Sequence, residues 1–216
     1  MTLQWVYERL YGHFGSQHWW PGETPFEVMV GAILTQNTAW SNVEKAIANL
    51  RANNALNAEA IAAAPLAQLA EWLRPSGYFN VKAERLQRFC RWLLEPGRRQ
   101  QLEQLATDEL RHALLSVKGV GRETADDMVL YAFDRPVFVI DAYTRRLFSR
   151  LGLITGEEGY ETLRALVEEA FGRSQEQTAL FNEFHALIVA HAKEYCRKRP
   201  LCRGCPLARR CPSREG

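Results

Sequence analysis

Nothing in the chain approaches the ~20 consecutive apolar residues that a bilayer-spanning helix needs, so no transmembrane segment is expected. The opening MTLQWVYERLYGHFG lacks a basic stretch followed by an apolar core, which argues against a secretory leader. Strand-like runs are almost missing. The short Val137-Phe138-Val139-Ile140 reads as an extended link threading through a core rather than as part of a sheet. No repeat of solenoid length and no low-complexity segment occurs. Little net charge remains, +2 from 27 Lys and Arg against 25 Asp and Glu. With 47% hydrophobic and 24% charged residues, the 216-residue chain is expected to be a soluble, cytoplasmic, globular protein of one large domain or two small ones.

The small net charge hides an asymmetry. Lys193, Arg197, Lys198, Arg199, Arg203, Arg209, Arg210 and Arg214 stand against Glu194 and Glu215, a balance of +6. The preceding 192 residues therefore carry 19 basic and 23 acidic residues, or −4. A basic end on a mildly acidic body suits a polyanion partner, although such tails are often merely solvated. Four of the five cysteines, Cys196, Cys202, Cys205 and Cys211, share this end. Without an export signal, a metal or cluster site is a better reading than disulfides.

Most of the remaining sequence has helical periodicity. Phe26, Met29, Val30, Ile33 and Leu34 follow a 3.6-residue spacing, as do Leu86, Phe89, Cys90, Leu93 and Leu94. Cys90, on such an apolar face, is expected to be a buried thiol. Ala46 to Ala70 has high helix propensity, with Pro65 placed to open a helix. Breaks are expected at Trp20-Pro21-Gly22, Pro75-Ser76-Gly77, Pro96-Gly97, Lys118 to Gly121 and Asp134-Arg135-Pro136.

The most informative stretch runs from Leu114 through Lys118-Gly119-Val120-Gly121-Arg122-Glu123-Thr124-Ala125. An apolar helix end meets a Gly-x-Gly turn and a second helix follows at once, leaving amides at a helix start facing outward, as phosphate binding requires. A Gly-x-Gly alone is usually a plain turn. Here it stands among four other ordered motifs: a helix over 25–34 followed by Thr35-Gln36-Asn37-Thr38, then Gly77-Tyr78-Phe79-Asn80-Val81-Lys82-Ala83, then Val139-Ile140-Asp141-Ala142-Tyr143-Thr144-Arg145-Arg146, then the four-cysteine tail. Together, over roughly residues 25–211, they resemble the helix-hairpin-helix DNA glycosylases of the endonuclease III superfamily.

The resemblance implies an all-α, two-lobed fold with a C-terminal iron–sulfur cluster loop. Residues 25–135 would form a helical bundle with the hairpin, and 1–24 with 136–216 a second helical domain carrying the catalytic aspartate and the cluster loop. Asp141 takes the place of the family's essential carboxylate, whose charge stabilises an oxocarbenium-like sugar or positions a water. Asp141 also suits the N-cap of a helix over 142–150, and one carboxylate can do both. Where bifunctional members carry a Schiff-base lysine, this chain has Glu123, which cannot form an imine. A monofunctional enzyme follows. Glu123 could alternatively serve only the macrodipole of its helix.

Gly119 to Asp126 resembles most closely the branch of 3-methyladenine DNA glycosylase III. That branch carries a Trp-Trp-Pro motif, here Trp19-Trp20-Pro21, and an aromatic residue at the position of Trp40. The resemblance makes these residues the walls that sandwich an extruded base, with Glu123 adding an anionic side. Aromatic faces stack on bases and attract cations such as N-alkylated purines, although tryptophan also packs cores. The implied DNA contacts are Gly119, Gly121 and Arg122 of the hairpin, with Gln36, Asn37, Tyr78, Phe79, Asn80 and Lys82. Something among the Gln36-Asn37 turn and the 77–80 loop must fill the gap left by a flipped base. Asn80 and Lys82 are expected to shape their loop or meet phosphate.

The tail spacing is C-x5-C-x2-C-x5-C, one residue shorter in its first gap than the usual endonuclease III pattern. The resemblance implies a [4Fe–4S] cluster, and structural zinc is the alternative for four thiolates. Described members of the 3-methyladenine branch can lack the cluster, so that branch's pocket would here be joined to the older cysteine tail. The reading as a whole is a monomeric glycosylase of base excision repair, acting on alkylated purines in damaged double-stranded DNA. Its rivals are an endonuclease III-like glycosylase for oxidised pyrimidines or mismatched bases, and a non-catalytic DNA-binding protein.

Overall fold

A computed structural model describes residues 1–19 and 22–214. Among them the regular secondary structure is entirely helical, as expected. The helices are α1 (Leu3–Phe14), α2 (Pro25–Leu34), α3 (Trp40–Ala52), α4 (Ala58–Ala63), α5 (Leu66–Leu73), α6 (Phe79–Leu93), α7 (Arg98–Gln104), α8 (Thr107–Leu115), α9 (Arg122–Asp127), α10 (Ala142–Arg150), α11 (Tyr160–Phe171) and α12 (Gln177–Glu194). α9 continues as one wider π turn over Met128–Ala132. No described helix is long and apolar enough to cross a membrane. The chain divides into two compact units, Met1–Trp19 with Arg135–Gly216, and Trp20–Asp134.

In the unit Trp20–Asp134, α2 is the central element. Thr24 caps it by accepting the Glu27 N–H at 3.1 Å, and Pro25 opens its first turn. The periodic stripe read from the sequence is too narrow here. Every residue from Glu27 to Leu34 is buried, because α3, α6, α9 and the π turn surround the helix. Pro65 precedes α5 as expected. α6 lays Ala83, Leu86, Phe89, Cys90 and Leu93 against α4 and α5. Burial pushes the Cys90 thiol up to about 12, so it is an inert core group.

α8, the turn 116–121 and α9 form the hairpin. Its two helices are braced by Arg111, whose Nε and Nη2 donate to the two carboxylate oxygens of Asp126 at 2.5 and 3.2 Å. Both residues are buried. Such a pair adds little beyond an apolar substitute of the same shape, yet removing one partner strands a buried charge.

In the other unit, α1, α10 and α11 supply the helices packed around α12 and its neighbours. Phe138, Phe148, Phe181 and Phe184 are fully buried, and Phe138 meets Phe181 and Phe184 with ring centroids 5.6 Å apart. The apolar run 137–140 is an extended, buried link, as the sequence suggests. With no strand beside it, two of its amides are satisfied by side chains and that of Val137 by Arg135 O. Phe138 N–H donates to Glu168 Oε1 at 3.1 Å and Ile140 N–H to the Tyr160 hydroxyl at 3.3 Å.

Asp126→Ala is therefore expected to destabilise the protein by ~3–5 kcal/mol, because it removes the buried carboxylate that both Nε and Nη2 of Arg111 bond. Denaturant unfolding measures this, and a loss below about 1 kcal/mol would show that the brace does not hold the hairpin.

Candidate active site

The two hairpin glycines differ in what they permit. Gly119 has φ +104°, and a Cβ there would lie 2.6 Å from Arg85 Cγ, so both conformation and space demand glycine. Gly121 is ordinary extended backbone with nothing within 4 Å of where a Cβ would stand, and it caps α9 without a side chain. The first-turn amides of α9 are thus not covered by a capping side chain. Arg122 and Glu123 are exposed beside them, on the first turn of the helix.

Gln36 is tied to this hairpin. Its Nε2 donates to Gly119 O at 3.2 Å and to Thr124 Oγ1 at 2.9 Å, while its Oε1 accepts from Arg85 Nη1. The next residue, Asn37, is exposed and left-handed at φ 55°. Tyr78 is left-handed too, at φ 46°, and 72% exposed, a costly arrangement for a large aromatic residue outside a core. Phe79 is half-buried beneath the Arg74 guanidinium, and Asn80 is exposed.

Lys82 corrects one expectation. It is 1% exposed, and its ammonium donates to Leu34 O at 2.8 Å and Ser76 O at 2.5 Å, so it does not meet phosphate. It instead shapes the loops, tying the end of α2 to the turn before Tyr78. Burial first, and then the neighbouring Arg85 charge, lower its pKa to about 8. The sequence shows the charge but not the two buried carbonyls that recruit it.

Asp141 is the N-cap of α10, over the residues expected. Its Oδ1 accepts the Thr144 N–H at 2.7 Å and its Oδ2 lies 3.5 Å from His185 Nε2. Burial alone would raise its pKa, but His185 and Thr144 outweigh that and hold it below the ordinary carboxylate value. The carboxylate is therefore buried and ionised. The His185 ring meets Trp19 at a centroid distance of 5.8 Å, so Trp19 lies one ring from the carboxylate's partner.

Trp40 starts α3 with its ring over Gly31, where a Cβ would stand 3.0 Å from the indole. It borders a cavity of about 670 Å³ in its own unit, whose other walls include Val28, Ile47, Tyr131, Glu27 and Glu44. Trp20 and Pro21 lie outside the described residues.

The four tail cysteines line one cavity with His191 and Leu147. Arg150 spans the loop, donating to Cys196 Sγ at 3.2 Å, Arg197 O at 2.6 Å and Lys198 O at 2.9 Å. Arg146 adds a bond to Cys196 O at 2.7 Å, and His191 Nε2 lies 3.2 Å from Cys205 Sγ. Burial, with the neighbouring cysteines adding to it, raises the Cys205 and Cys211 thiols. Among the described residues no set of three or more His, Cys, Asp or Glu side chains is gathered as a site for a metal ion.

Sequence reasoning passes over His185, Arg85, Arg146 as a loop donor and Arg150. Arg150 ends the helix that Asp141 begins, which hints at a role. His185 stands on an apolar helical face, where a histidine is usually a core residue, and no local pattern distinguishes it.

A provisionally named DNA repair glycosylase of Methanocaldococcus jannaschii is 44% identical over 199 residues, covering 91% of this chain and 89% of that protein. Among solved structures, H. pylori 3-methyladenine DNA glycosylase bound to 1,N6-ethenoadenine is 28% identical with a TM-score of 0.77, covering 90% of this chain and 98% of that one. An endonuclease III–DNA complex shares the fold at a TM-score of 0.82 and 22% identity, covering 98% of this chain and 94% of that one. The model of the HhH-GPD superfamily base excision DNA repair proteins matches residues 30–173. With that span and the hairpin, aspartate and helical architecture described above, the chain belongs to this superfamily of DNA glycosylases.

Proposed function

We propose that the chain is a monofunctional glycosylase that extrudes alkylated purines, 3-methyladenine foremost, from double-stranded DNA and hydrolyses their N-glycosidic bond. The carrying observation is the buried, ionised Asp141 carboxylate, fixed at Oδ1 by the Thr144 amide and faced at Oδ2 by His185. As the bond breaks, its electron pair leaves with the base and positive charge grows on the sugar. A fixed carboxylate stabilises that charge without reorganising. Water then adds to the anomeric carbon and gives up a proton, leaving an abasic site. An N-alkylated purine is already cationic and departs neutral, so the reaction needs no acid on the leaving base.

Glu123 supports the absence of lyase chemistry, since a carboxylate there offers no amine to the sugar. Trp19, Trp20, Pro21 and Trp40 would stack on the extruded base, with Glu123 as an anionic wall. Likeness to a glycosylase bound to 1,N6-ethenoadenine favours an alkylated purine as substrate. The hairpin at Gly119, Gly121 and Arg122 would hold phosphate. Tyr78, strained and exposed, is the wedge that best fits the vacated space, flanked by Phe79 and Asn80. Asn37, exposed on its turn, would assist, while Gln36 braces the hairpin.

Cys196, Cys202, Cys205 and Cys211 would hold a [4Fe–4S] cluster. Their four thiols line one cavity, and the basic residues around them, Arg150 and Arg146 among those bonded to the loop, would offset a cluster's negative charge; structural zinc is the alternative. When bound, the cluster supplies cross-linking of the loop rather than chemistry on the base. A monomer working on chromosomal DNA in the cytoplasm completes the reading.

Three outcomes are expected. Asp141→Asn keeps the cap and the fold, slows release of 3-methyladenine from methylated DNA ~100-fold or more, and leaves damaged-DNA affinity intact. A folded variant with normal release would refute the mechanism, whereas release of oxidised pyrimidines alone by the parent protein would replace the substrate assignment. Borohydride should trap no covalent protein–DNA adduct, and strands should break only after added alkali. Efficient trapping would point to a lysine nucleophile, with Lys118 the first to test. Purified protein should be brown with about four irons per chain, lost in Cys202→Ser, and a colourless protein with one zinc would overturn the cluster.

A further inference from the structure

Asp141 does not stand alone in its unit. His185, on α12, is 4% exposed and presents Nε2 to Oδ2 of Asp141 at 3.5 Å. Its ring is fixed by Trp19 at 5.8 Å and Phe138 at 6.3 Å between centroids. An ionised carboxylate only accepts, so the atom facing it must carry the ring proton, which assigns the tautomer. The opposite oxygen is already fixed by the Thr144 amide at 2.7 Å. The Thr144 amide and the His185 ring thus face the two oxygens of the carboxylate.

A ring nitrogen held against Oδ2 inside the protein fixes the direction of the carboxylate and leaves its negative charge to oppose the developing positive sugar. We infer that His185 is the positioning residue of the reaction, aiming Asp141 at the reacting sugar. This rests on Asp141 being the catalytic carboxylate.

The other titratable groups on neighbouring elements have partners of their own. On α12, Glu183 takes bonds from Ser16 and Gln17, and His191 meets Cys205. On α1, Tyr7 packs edge-on to Phe184 and His13 pairs with Tyr195. On α10, Arg145 bonds Glu158 O and Arg146 bonds Cys196 O. Glu168 of α11 pairs with Arg164 and Arg173, the Tyr160 hydroxyl takes the Ile140 amide, and His18 is exposed.

The test is single-turnover base release from methylated DNA, with the intact protein and two variants. His185→Gln, whose amide N–H reaches where Nε2 stands, should keep most of the parental rate. His185→Phe keeps the ring packing without the polar edge, and should be slower by ~10–100-fold while still binding damaged DNA. A glutamine variant as slow as the phenylalanine one, or a folded His185→Phe with parental rate, would each overturn the inference. Normal base release by Asp141→Asn would instead sink the catalytic reading itself, so the two failures are distinct.

Discussion

Holding one carboxylate ionised inside a protein is the constraint around which the unit carrying Asp141 is built. Burial alone pushes such a group toward its neutral form, and two donors reverse the balance here. One donor comes without special provision, because a helix start always offers free amides and Asp141 is placed to take one. The other requires the long α12 to bring His185 to the start of α10, with aromatic rings fixing its face. The extended link 137–140 that leads into Asp141 is buried without a strand partner. It keeps its course because Glu168 and Tyr160 accept its amides. Packing, backbone satisfaction and the charge at Asp141 are thus solved by the same few residues.

The unit Trp20–Asp134 treats charge differently. Lys82 and Arg111 are buried, and Arg85 and Gln36 join the inner faces of loops whose outer faces carry Tyr78, Asn37 and Arg122. The ammonium of Lys82 holds two carbonyls, one at the end of α2 and one in the turn before Tyr78. Rigid inner bonding of this kind lets an exposed left-handed residue such as Tyr78 persist, since local strain survives only where surroundings impose it.

What is legible in the sequence follows from how local each feature is. The cap at Asp141, the span of α10, the Gly119 turn and the burial of Cys90 depend on neighbours within a few positions, and all are readable from them. The all-helical architecture is legible for the same reason. Lys82 is misread in part because a lysine after an exposed loop carries no mark of the carbonyls of Leu34 and Ser76 that receive it. The buried face of α2 is wider than its periodicity implies because periodicity detects one covered side, whereas helices cover this one on several. His185 is invisible since its meaning depends on a residue 44 positions earlier, His185 minus Asp141, and on a contact no local pattern encodes.

On the proposed mechanism, the residues that are missing constrain the substrate as strongly as those present. A lysine nucleophile would bond to the sugar and help drive out even a poor leaving group. Here position 123 is glutamate, and the proposed reaction would depend on a carboxylate and water. A fixed carboxylate lowers the energy of the sugar cation but does nothing to stabilise electrons accumulating on the departing base. An unmodified purine would leave as an anion and would need a proton donor of its own. An N-alkylated purine brings its positive charge with it and leaves neutral, so its departure needs what Asp141 supplies and little more. Aromatic faces with an acidic neighbour would favour the same cation on entry. Ground-state capture and bond cleavage would then select for the same property, a base that already carries positive charge, and discrimination against normal purines would arise from the chemistry as well as from the pocket.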